Sequence, residues 1–140
     1  MDASHQRWLR TTILLGVVYL VIGIAFGALA NAAASHQMLV TWRLAAWIAS
    51  AVVFAVHVGH ELLRMGNSPR TTAIHASAAV ALGAFGLAVA ANVHAHWAAA
   101  GNQRLFTLAL VAWPVLCGVP AFAVALAAGA GLALARRSHR

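Results

Sequence analysis

Acid is nearly missing from this chain: of its 140 residues only Asp2 and Glu61 carry carboxylates. Lysine is absent altogether, so all nine positive side chains are arginines. A soluble domain holds about 25% charged residues. Here the share is 8%, which excludes an ordinary water-soluble globule. The single cysteine, Cys117, rules out an intrachain disulfide and any CxxC redox pair, and it is expected to pack as a small hydrophobe. There is no glycine-rich phosphate loop and no serine elbow, and no base lies beside Cys117 in sequence. Nucleophilic and nucleotide chemistry therefore have no motif, and the balance is against an enzyme.

What fills the chain instead is hydrocarbon. Hydrophobic residues make up 63% of it, and mean hydropathy is +0.84. Apolar runs over 11–34, 44–63, 71–93 and 105–135 are bounded by polar or charged clusters. A membrane-spanning helix needs about 20 apolar residues. The pattern predicts an all-α protein, a four-helix up-down transmembrane bundle in which short connections make consecutive helices antiparallel neighbours.

The arginines orient this bundle. Arg7, Arg10, Arg64, Arg70, Arg136, Arg137 and Arg140 fall on one side, and only Arg43 and Arg104 on the other. The positive-inside rule then places both termini in the cytoplasm, as in a bacterial-type cytoplasmic (inner) membrane. These arginines flank spans and form no continuous stripe, so they point to anionic lipid headgroups and not to nucleic acid. Trp42, Trp47, Trp97 and Trp113 gather toward the outer face and Trp8 toward the inner one, as an interfacial aromatic belt would. The first run follows Arg7 and Arg10 as a secretory signal would, but its apolar stretch exceeds the usual 7 to 15 residues. It is expected to stay as a permanent helix.

A tandem repeat of one helical hairpin is visible. Ala25-Phe26-Gly27 and Ala84-Phe85-Gly86 are followed by Asn31 and Asn92, then by His36 and His96, and Arg43-Leu44 and Arg104-Leu105 open the next run. Gly23 and Gly27 form a GxxxG, and Gly83, Gly86, Gly118, Gly129 and Gly131 supply further small faces for packing within the bundle or between copies. In the fourth run, Pro114 and Pro120 predict either a kink or a span that starts near Trp113 with Pro114 in its first turn.

Polar residues that enter or border hydrocarbon are costly and mark a candidate functional site. In the second run, Arg43, Trp47, Ser50, Phe54, His57, Glu61 and Arg64 recur at spacings of four and three, along one helical stripe. In the third, His75, Leu82, Phe85, Val89, Asn92 and His96 keep the same rhythm. Facing stripes would bring His57 and His75 to one depth. Glu61 and Arg64, an i, i+3 pair with the acid N-terminal, are expected to form an interfacial ion pair.

Four readings of this constellation stay open. The first is a non-enzymatic accessory or structural component, either self-associating or part of a larger membrane complex, in which the polar residues glue helices together. The second is haem b held by His57 and His75, with Ala78, Ala79 and Gly83 making room for the ring. Together with an outer group at His36, His94 and His96, this is similar in outline to membrane b-type cytochromes, with no motif behind the likeness. The third is a divalent transition metal on His57, Glu61 and His75, with His60 as an outer ligand. The fourth is a small proton-coupled transporter using His57 and Glu61 as a titratable relay.

Overall fold

Two serines punctuate the helical hairpins. Ser35 sits in an extended conformation and its hydroxyl accepts from the Met38 N–H, and Ser68 does the same for Thr71 ahead of Pro69 in the first helical turn. Each satisfies one of the N–H groups a helix start leaves open, and proline is well suited to that first turn. The computed structural model describes residues 3–98 and 102–138, with the side chains of 3–5, 136 and 137 left aside. It comprises α1 (Ala3–Asn31), α2 (His36–Leu63), α3 (Pro69–Trp97) and α4 (Gln103–Ser138). Asp2 and Arg140 lie outside the described residues, as do the side chains of Arg136 and Arg137. No strand occurs among the described residues, and all four helices are long and apolar enough to cross a membrane.

Most helices run further than the apolar segments do, although α1 stops at Asn31, short of 34, and α2 ends with its run at Leu63. α1 begins at Ala3 and not near residue 11, and α2 begins at His36 and not at 44. Backbone hydrogen bonding does not stop where hydropathy drops, and no residue between Ser35 and Leu44 breaks the ladder. Arg43 therefore stands in the second turn of α2, and His36 opens α2 instead of closing the helix before it. α4 passes unbroken through Pro114 and Pro120, so Pro114 does not begin the helix. With 36 residues it extends about 54 Å, longer than the roughly 30 Å thickness of bilayer hydrocarbon.

α3 is the axis of the molecule. It packs most extensively on α4, then on α1, and meets α2 least. Its buried positions are nearly all small: Ala73, Ala76, Ala79, Gly83, Ala84, Ala88 and Ala95, with Thr72. Small residues let helix backbones approach closely where lipid provides no hydrophobic drive. On the α1 side Tyr19 is seated on Gly83, Leu20 on Gly86 and Leu87 on Gly23, which makes the two helices parallel. On the α4 side Gly118 lies against Ala81 and Gly129 against Pro69, which makes that pair antiparallel. Most of the glycines read from the sequence as packing faces are thus used inside the chain, whereas a side chain at Gly27, Gly59 or Gly131 would meet nothing.

The two hairpins are not packed alike. In the second, Asn92 bridges α3 to α4 by donating to the carbonyl of Phe106 as well as to that of Ala88 in its own helix. In the first, α2 leans on α1 through Phe26 and Trp42, whose rings are 6.1 Å apart. At the other end of α2, Val58 and Leu62 join Ala73, Ala76 and Ala125 in a small apolar core, with Phe54 and Phe122 against it. Next to that core stands the polar constellation.

Candidate functional site

The turn between α2 and α3 builds the site. Gly66 has φ +66°, a left-handed conformation that glycine enters without strain. This reverses the chain so that the Asn67 N–H reaches back to the Glu61 carbonyl at 3.1 Å. The same reversal swings the Asn67 side chain under Glu61, where Nδ2 donates to Oε2 at 3.0 Å. Ser68 and Pro69 then start α3, and its second turn presents His75 from the opposite side.

Glu61 is the hub. The His75 ring lies with Nδ1 at 2.9 Å from Oε1 and 3.0 Å from Oε2, and His57, one turn back on α2, places Nε2 at 3.4 Å from Oε1. A carboxylate can only accept, so these nitrogens and the Asn67 amide act as its donors. Glu61 is buried, at 5% exposure, and His57 is buried with it at 6%. The arrangement answers a local problem: Glu61 is near the C-terminus of α2, where the helix dipole disfavours an anion, and three donors offset that. The His75 ring also packs on Trp8 of α1, with centroids 5.4 Å apart, so one node joins three helices.

The structure brings His57, Glu61 and His75 together, but not in the expected pairing. Glu61 does not pair with Arg64: its ion-pair partners among the described residues are His57 and His75, while Arg64 is exposed and its backbone caps α2. The physical reason is the turn, which returns an amide and an imidazole to the carboxylate from the side away from Arg64. His60 is exposed and is not among the partners of Glu61 in the described residues. His36, His94 and His96 are exposed at the ends of α2 and α3, and no group of three or more His, Cys, Asp or Glu among the described residues is arranged to hold a metal ion.

Asn67 and Trp8 are the members of the node that sequence periodicity missed. Asn67 lies in a turn and so belongs to no helical stripe, though a glycine just past the helix end followed by an amide is a readable turn signal. Trp8 was legible only as a membrane-interface residue. Its contact with His75 follows from α1 running parallel to α3, which no stripe encodes.

The positions thought to make room for a haem ring are largely taken up by helix contacts. Ala79 is fully buried, and a methyl group added at Gly83 would meet Tyr19 Cβ at 2.5 Å. Both imidazoles already point at one carboxylate. Protein purified without added cofactor is expected to be colourless and metal-free by absorbance and elemental analysis. A Soret band or a stoichiometric metal lost in both His57→Ala and His75→Ala would reverse that expectation.

One nitrogen is left over. Among the described residues, His57 Nδ1 is buried without a hydrogen-bond partner, as are the Thr72 and Tyr19 hydroxyls. Among the crevices of the bundle are one of about 280 Å³ between α1 and α2 and one of about 390 Å³ between α3 and α4, both lined by residues outside the Glu61 node. No protein-family model, curated protein or solved structure matches the chain.

Proposed function

We propose that this chain is a small, non-enzymatic, multi-pass component of a membrane assembly, in which the Glu61 node latches α2 to the rest of the bundle. The observation that carries this reading is that the buried ionic cluster closes on itself. Glu61 is occupied by His75, His57 and Asn67, and it is nearly inaccessible. A site that turns over a substrate needs room beside its reactive groups. α2 also touches α3 little elsewhere, so a polar latch has a mechanical purpose there.

The bias of arginines toward the end that holds the 64–70 segment supports a bacterial-type cytoplasmic membrane with both termini inside. A 28-residue helix is about 42 Å long, so centring α2 in roughly 30 Å of hydrocarbon puts Glu61 near the headgroup boundary and His57 about one turn deeper. That depth suits an interfacial latch better than a mid-membrane relay. Native purification in mild detergent, followed by mass measurement, is expected to recover the chain in a defined assembly with itself or with a larger complex. A solitary monomer under those conditions speaks against this role.

A second reading, proton-coupled transport through His57 and Glu61, is favoured by the unpartnered Nδ1 of His57 next to the carboxylate. Under the latch reading, a proton flux in liposomes is expected to be at background level and unchanged by Glu61→Gln. A pH-dependent flux abolished by that substitution establishes the relay instead.

A further inference from the structure

The first hairpin is open at the place where the second is closed. Asn92 bridges to α4, but its counterpart Asn31 makes no side-chain hydrogen bond among the described residues and lines the 280 Å³ crevice between α1 and α2. The crevice floor is Gly27, where a Cβ would meet nothing within 4 Å, and its walls include Ala30, Ala46 and Trp47. Arg43 stands at its rim with Asn31. The volume approaches the lower limit of small-molecule sites, roughly 300 Å³.

Among the described residues Arg43 has no counter-charge within reach. The chain holds only two acids; Glu61 is 18 positions along the same helix, about 27 Å away, and Asp2 precedes the far end of α1. A guanidinium one to two turns inside a membrane helix needs an anion, and its planar fork matches phosphate oxygens. An apolar slot ending in an unneutralised arginine and an amide is complementary to an anionic amphiphile.

We propose that this crevice binds an anionic phospholipid, with its phosphate on Arg43 and Asn31 and one acyl chain lying over Gly27 against Trp47. The inference rests on the membrane-spanning reading of the helices and is independent of the Glu61 node. Lipid is held by charge and fit without any covalent step.

The test uses the full chain in vesicles containing brominated acyl chains, on either phosphatidylglycerol or phosphatidylcholine, and reads quenching of Trp47 as the difference between wild type and Trp47→Phe. An arginine near the surface contributes about 1 kcal/mol toward anionic lipid, which is about a fivefold preference for phosphatidylglycerol. Arg43→Gln is expected to abolish that preference, and Arg104→Gln, an arginine at the same end but outside the crevice, to keep it. Gly27→Leu puts a side chain into the slot at a position where the Cβ meets nothing within 4 Å, and it is expected to reduce Trp47 quenching by both lipids. Equal quenching by the two lipids in wild type, or a preference that survives Arg43→Gln, overturns the proposal. Trp47 shielded from both lipids while the other tryptophans are quenched overturns it in favour of a protein partner in the slot. Failure of the membrane reading is distinct, since no tryptophan is then quenched.

Discussion

Gly83→Leu is expected to separate α1 from α3 and to destabilise the bundle by about 3 kcal/mol, at the upper end of what overpacking usually costs. A Cβ at this position would lie 2.5 Å from Tyr19 Cβ and 3.0 Å from the Gly16 carbonyl oxygen. The first contact is at the root of a buried ring and the second is backbone, so neither can give way by a rotamer change. Leucine is a better helix former than glycine by less than about 1 kcal/mol, which is too little to compensate. Gly27→Leu is the matched control, because the space there is open, and its effect on stability is expected to stay within about 0.5 kcal/mol. Unfolding in mixed SDS and dodecyl maltoside micelles, followed by tryptophan fluorescence, separates the two variants. Equal stabilities would mean that α1 and α3 do not approach at Gly83.

The second large effect is expected from Glu61→Ala. This removes the acceptor of His75, Asn67 and His57 in one step and leaves three donors facing a buried gap. Breaking a buried ion pair from one side costs about 3–5 kcal/mol in soluble proteins. Side-chain hydrogen bonds inside membranes average only about 0.6 kcal/mol, because the unfolded helices find other partners in lipid. Three such bonds set a lower bound near 2, so about 2–4 kcal/mol is expected. The loss should be local: α2 should detach at its Glu61 end while α1, α3 and α4 stay packed, since α3 makes its main contacts with α1 and α4. Paired cysteines at Leu62 and Ala73, which share the small apolar core, should crosslink in a cysteine-free background of the wild type and fail to do so with Glu61→Ala. Retained crosslinking would show that the apolar contacts alone hold α2.

The four helices were legible because apolar length is a direct signal, and the chain has little else. Their ends were not, because charge was taken for termination: Arg43 falls inside α2, whose start is set by Ser35. At the site, periodicity placed His57 and His75 each on a stripe of its own helix without showing that the stripes face, and the structure joins both to Glu61. The partner of Glu61 was misjudged because an i, i+3 rule considers one helix only. The competing donors come from beyond Gly66, across a turn, and win because they reach the carboxylate from within the bundle. The contribution of Trp8 was illegible for a related reason: it depends on which helix lies next to α3, and alanine-rich faces give no preference between neighbours. The hairpin repeat is an expectation of the sequence alone, and the structure sets Asn31 and Asn92 differently: Asn31 is the last residue of α1, whereas Asn92 lies within α3 and bridges to α4.

A double-mutant cycle between Glu61→Gln and His75→Ala, measured by unfolding in the same micelles, tests the latch most directly. Each single change weakens the same interaction, glutamine by removing its charge and alanine by removing the imidazole, so the account predicts a coupling above about 0.5 kcal/mol, with the double mutant less unstable than the sum of the two. Energies that add to within about 0.5 kcal/mol would mean that Glu61 and His75 do not hold α2 to α3, and would contradict the account.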